Sequence, residues 1–156
     1  MKTEKMKRIK KVISAMALSA VVAVFASMGV SAVEEFIVGT YTGFNPYQNA
    51  TFEAAYMKGY YEATSSNGHA RAGTHTLATG NFQKKSYVIF YYINKEGKSS
   101  NTKHLGAVRG SNGWVCSNWV KVPDDCLLLT KIEFCSDTYT GSSSNVSYTD
   151  KIIVTV

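Results

Sequence analysis

The sequence predicts an all-β protein: a single antiparallel β-sandwich, jelly-roll or Ig-like, of seven to eight short strands after a cleaved signal peptide. Three observations carry this prediction. Runs rich in Val, Ile, Thr, Tyr, Phe and Trp recur at spacings of roughly ten residues, separated by Gly, Ser, Asn and Asp turn residues. No stretch after the first 32 residues keeps a 3.6-residue apolar period long enough for a helix. The most apolar run, Tyr87-Val88-Ile89-Phe90-Tyr91-Tyr92-Ile93, is too short for an interior helix and rich in β-branched and aromatic side chains.

The chain begins with a leader. Lys2, Lys5, Lys7, Arg8, Lys10 and Lys11 form a basic segment, a mostly apolar stretch runs from Val12 to about Val30, and Val30-Ser31-Ala32 offers small residues for cleavage after Ala32. Residues 1–32 therefore read as a signal peptide and 33–156 as a secreted domain. An uncleaved anchor is the competing reading, since the apolar stretch is almost long enough to span a bilayer. The dense lysines have a bacterial texture. The leader also holds six of the 17 basic residues and one of the 11 acids, which leaves the remainder at a net charge of +1. The basic balance of the whole chain thus belongs to the leader, and nucleic acid is excluded as a partner. The remaining 124 residues suit one domain with no membrane-spanning segment.

Taken in order, Phe36-Ile37-Val38 suggests a short edge strand, and Gly43 and Asn45-Pro46 a loop. Glu53 to Lys58 has helical propensity, but Gly59 interrupts it and Tyr60-Tyr61 favours a strand, placed from about Ala55. Ser65-Ser66-Asn67-Gly68 is a turn. His69 to Thr79 then alternates, with Ala70, Ala72 and Thr74 on one face and His69, Arg71, Gly73 and His75 on the other. Small residues along one face suggest close approach by another layer or a flat exposed surface.

The apolar run of 87–93 and the polar segment up to Val108 form a hairpin about Gly97. A loop of two or four residues would put Tyr87, Ile89, Tyr91 and Ile93 on the face of Lys98, Ser100, Thr102 and His104. The second strand of this hairpin is polar on both sides and suits a sheet edge guarded by Lys98 and Lys103. Beyond the turn Gly110–Gly113, Trp114 to Val122 reads as a strand, and Pro123 to Cys126 as another turn. Leu127 to Asp137 is amphipathic, with Leu128, Ile132 and Phe134 inward and Lys131, Glu133 and Asp137 outward. After the loop 141–145, the last strand sets Val146, Tyr148, Ile152, Val154 and Val156 on one side.

Chemistry is harder to find. Were Trp114–Val122 and Leu127–Asp137 hairpin partners, Cys116 would lie near Cys135, and a Cys116–Cys135 disulfide is the favoured pairing. Cys116–Cys126 is the alternative, and three reduced thiols also fit the spacing. His69 and His75 share a face about 20 Å apart, too far for one metal ion, and no cofactor is expected. Asp124-Asp125 suits a turn better than a calcium site. No nucleophile elbow, phosphate loop or nucleotide fingerprint occurs, so the chain does not read as an enzyme.

Aromatic residues remain: ten Tyr, six Phe and two Trp after the leader. Tyr60-Tyr61 and Tyr91-Tyr92 must each send one ring to either face of a strand, so some tyrosines point away from the core. Rings on a flat sheet among Ser, Thr and Asn suit sugar recognition, by stacking and by hydrogen bonding. Tyr87, Tyr91, His104, Trp114 and Trp119 are the candidate ligand-binding residues, and cell-wall polysaccharide or another envelope component is the expected partner. The Tyr/Ser/Gly-rich strands behind a lysine-rich leader resemble small exported bacterial β-sandwich proteins, including lactococcin-type bacteriocins. That likeness implies an antibacterial or toxin-like role as the alternative, and transfers no residue roles.

Overall fold

The computed structural model describes residues 38–64, 68–75, 82–140 and 143–156. The chain divides into two units, Met1–Val33 and Glu34–Val156, and every described residue belongs to the second. Among these residues there are eleven strands and no helix: β1 (Val38–Tyr41), β2 (Ala50–Ala54), β3 (Met57–Ala63), β4 (Gly68–His75), β5 (Phe82–Asn94), β6 (Ser99–Asn101), β7 (Leu105–Gly110), β8 (Trp114–Cys116), β9 (Val120–Lys121), β10 (Cys126–Thr140) and β11 (Tyr148–Thr155). They form two sheets. The first runs β1-β11-β10-β5-β6, with β7 also on β5; the second runs β2-β3-β4-β8, with β9 also on β4.

Every pairing is antiparallel except β1 with β11, so the sandwich is not purely antiparallel as expected. β1 and β6 lie at the two edges of the first sheet, where short strands limit the exposed ladder.

Three local features raise the strand count above seven or eight, and the first is that the second strand of the central hairpin divides into β6 and β7. Ala55-Tyr56 makes a tight turn joining Ala54 to its partner Met57, so an additional strand, β2, precedes the one expected from about Ala55. Trp114–Val122 also breaks in the middle. Ser117 leaves the ladder, donating its N–H to the Ala72 carbonyl at 2.8 Å and accepting from the Ala72 N–H at 3.0 Å through its hydroxyl. Side-chain bonding of this kind competes with regular pairing. The turn at 65–67 and the segment 76–81 lie outside the described residues.

The core lies between the sheets. Val88, Phe90, Ile132, Phe134, Ile152 and Val154 of the first sheet are fully buried against Phe52, Met57, Tyr61, Ala70 and Ala72 of the second. Each large apolar side chain so buried contributes about 1.5–3 kcal/mol. The small face of β4 does what its residues suggested: Ala70 and Ala72 have no exposed surface. Gly59 allows the closest approach, since a Cβ there would sit 2.4 Å from the Phe134 ring. Towards one end the inner face turns polar, where the buried Lys84 ammonium donates to Thr138 Oγ1 at 2.7 Å and pairs with Asp150 at 3.9 Å.

Two expected registers are corrected. The β5–β6 hairpin has a three-residue loop, Lys95–Gly97, with Asn94 N–H bonded to the Lys98 carbonyl and Gly97 at φ 77°. Tyr91 therefore faces Asn101 across the ladder and Tyr92 faces Ser100. An odd loop count moves the partner strand by one residue, which exchanges its faces. In β10, irregularities between Cys126 and Leu128 and between Leu129 and Lys131 shift the alternation. Leu129 is the core residue, while Leu128 is 55% exposed.

Candidate functional site

The five sequence candidates do not form one surface. Tyr87, Tyr91 and His104 belong with the outward face of the first sheet, Trp114 and Trp119 with the outward face of the second. The sandwich core separates them.

On the first sheet, the outward tyrosine rings are engaged by their own neighbours, and His104 is exposed over one of them. Tyr87 is 5% exposed, and its hydroxyl donates to Asp137 at 2.9 Å, where Thr149 also donates at 2.7 Å. Burial is the main cause that raises the Tyr87 pKa, with Cys135 and Asp137 adding to it. His104 stacks on the Tyr87 ring at 4.2 Å between centroids. The Lys131 ammonium lies 3.7 Å from the Tyr91 ring centre and donates to Glu133 at 2.8 Å, and Lys151 also donates to Glu133 at 3.2 Å. Burial pushes the Glu133 carboxyl up, but those two lysines outweigh it and hold it below the ordinary value. The result is a polar face whose groups satisfy one another.

The second sheet differs. Alternation that sends Met57, Gly59 and Tyr61 inward from β3, and Ala70, Ala72 and Thr74 inward from β4, sends Lys58, Tyr60, Glu62, His69, Arg71 and His75 outward. β8 adds Trp114, opposite His75, and Cys116, opposite Gly73. The break between β8 and β9 presents Trp119. Trp114 is 47% and Trp119 39% exposed, whereas Tyr87 on the first sheet's outward face is 5% exposed and Tyr91 is partly buried. His75 meets Trp114 edge-on at 5.4 Å, and Lys58 lies 5.6 Å from the same ring while pairing with Glu53 at 3.0 Å. Tyr60 and Trp119 are tilted by 56° with centroids 6.4 Å apart, and the Arg71 guanidinium carbon lies 4.8 Å from one and 5.0 Å from the other. Among the described residues Arg71 makes no hydrogen bond or ion pair, and its Nε is buried without an acceptor.

Tyr60 and Arg71 were not among the sequence candidates. The signal was present, because Tyr60-Tyr61 must split across faces and Arg71 sits on the large-residue side of β4. Nothing in the sequence showed that Trp119 would reach the same face.

The disulfide expectation is overturned. All three cysteines are free. β10 pairs with β5 and β11, never with β8, so Cys135 faces outward from the first sheet and Cys116 outward from the second. Cys126 fares no better as a partner for Cys116. It lines a cavity together with Gly68, about 16 Å along β4 from the Gly73 level of Cys116, well beyond disulfide reach. Burial pushes the Cys135 thiol up to about 12, with Glu133 adding to the effect. That cavity, about 410 Å³, opens at one end of the sandwich and is rimmed by Tyr47, Tyr61, Pro123, Leu127 and Leu128. Among the described residues no three His, Cys, Asp or Glu side chains converge as metal ligands, and no helix is long and apolar enough to cross a membrane.

Compared with models of known protein families, with curated proteins and with solved structures, the chain matches none.

Proposed function

We propose that this is an exported, non-enzymatic β-sandwich protein that binds cell-wall or other glycan through the outward face of its second sheet. One observation carries the reading: Trp114 and Trp119 stand exposed on the same sheet face, both beside the edge of β4 away from β3. Indole faces held by a rigid sheet can stack on the apolar faces of sugar rings with little loss of side-chain freedom. His69, Arg71, His75 and Lys58 supply hydrogen-bond donors between and beside the rings. Along β4 the strip from His69 to His75 is about 20 Å long, which suits a chain of sugars better than a single unit. The leader read over residues 1–32 supports export. Incubating the purified protein with isolated cell walls and insoluble polysaccharides tests this: sedimentation with at least one supports the reading, and failure to bind any of them contradicts it.

A second reading, an antibacterial protein acting on another cell's envelope, draws on the other end of the fold. Tyr47, Leu127 and Leu128 are 89%, 67% and 55% exposed around the end cavity, an apolar group able to enter a lipid surface. Inhibition of neighbouring bacterial growth by the purified protein would favour it over simple adhesion.

A further inference from the structure

We infer that the glycan bound by the second sheet's outward face carries carboxylate groups, and that Arg71 is the residue that recognises them. This rests on the glycan reading above and specifies its ligand. Arg71 is set apart from its cationic neighbours by what it lacks. Lys58 is paired with Glu53, and Lys121 with Asp124. The Arg71 guanidinium has rings for company and, among the described residues, no acceptor at all.

Tyr60 and Trp119 hold the planar group in place by cation–π contact, so the entropy of ordering a long flexible side chain is already lost before a ligand arrives. A guanidinium fixed in this way presents two parallel N–H donors, a geometry that matches the two oxygens of a carboxylate. Its partly buried position strengthens the attraction relative to a solvated lysine. Of the neighbouring acids, Glu53 and Asp124 are engaged by lysines, and Glu62, exposed and outward on β3 opposite His69, makes no ion pair with Arg71 among the described residues. Trp114 lies at the level of His75, four residues along β4 from Arg71, or about 13 Å. A sugar stacked on the exposed Trp119 would place a ring carboxylate beside Arg71, and further units of the chain would run towards Trp114.

The test compares the purified protein's binding to polygalacturonate, to the same polymer methyl-esterified, and to polyphosphate. The expected result is binding to polygalacturonate about tenfold or more tighter than to the ester, weakening as salt is raised. Arg71→Gln and Arg71→Lys should both lower affinity for polygalacturonate to the level of the ester, since lysine keeps the charge but not the fork. Melting temperatures establish that these variants fold, and the comparison of acid with ester on the unaltered protein needs no variant. Equal binding of acid and ester would overturn the carboxylate inference and leave the glycan reading intact. Polyphosphate binding as tight as polygalacturonate would also overturn it, pointing to anions in general. Binding to none of these polymers, nor to cell walls, would overturn both.

Discussion

Tyr87 and His104 stack face to face, their ring centroids 4.2 Å apart and their planes 2° from parallel. The stack closes over a ring whose hydroxyl is already bonded to Asp137, so it belongs to the stability of the fold. His104 sits at φ 49°, a conformation that asparagine tolerates well. His104→Asn should therefore remove the ring without adding backbone strain, costing about 0.5–1.5 kcal/mol in urea unfolding. Glycan binding should be unchanged, and a loss of binding in that variant would return the first sheet's face to consideration.

Gly59 and Phe134 give the sharpest packing prediction. Gly59→Ala brings a methyl group to within 2.4 Å of the ring and should cost about 1–3 kcal/mol as the sheets are forced apart. Phe134→Leu should recover part of that cost in the double variant, measured by a thermodynamic cycle. Additive costs would mean that the two positions do not meet.

The two-sheet all-β fold was legible in the sequence because its signals are local: period-two alternation, turn residues and β-branched runs. The small face of β4 was legible for the same reason, and the burial of Ala70 and Ala72 decides between its two readings, a second layer and a flat exposed surface. What the sequence hid was set by single residues of register. One residue more in the Lys95–Gly97 loop than a two-residue turn has exchanged the faces of β6. Two irregularities in β10 turned Leu128 out and Leu129 in. The pairing of Cys116 with Cys135 failed on a long-range choice, that β10 joins β5 while β8 and β9 join β4. Half of the candidate site, Trp114 and Trp119, was named from composition and chemistry alone. Arg71 and Tyr60 emerged only once the cross-strand register placed them beside Trp119.

Glu133 makes the stability depend on acid. Its carboxyl is held below the ordinary value of 4.5 by Lys131 and Lys151 against the opposing effect of burial. A depressed pKa in the folded state contributes stability that is fully present above 4.5 and is lost as pH falls through the folded value. Urea midpoints should therefore drop below about pH 4.5 in the native protein. In Glu133→Gln that decline should be shallower, and an identical slope would show that other carboxylates govern it.

The thiols should behave as three separate groups. Adding dithiothreitol should leave the melting temperature unchanged, because no disulfide constrains the unfolded chain. At neutral pH a thiol reagent should label the partly exposed Cys116 in the native protein but reach the fully buried Cys135 only after denaturation. A fall in melting temperature on reduction would mean that a disulfide forms.

The central claim is that one face of the sandwich binds glycan and the other does not. The most direct measurement is sedimentation of purified variants with cell walls, comparing Trp114→Ala and Trp119→Ala with Tyr91→Ala, each shown by its melt to be folded. The account predicts that both tryptophan variants lose most of the binding while Tyr91→Ala retains it. Retained binding in both tryptophan variants, or loss in Tyr91→Ala, would contradict it.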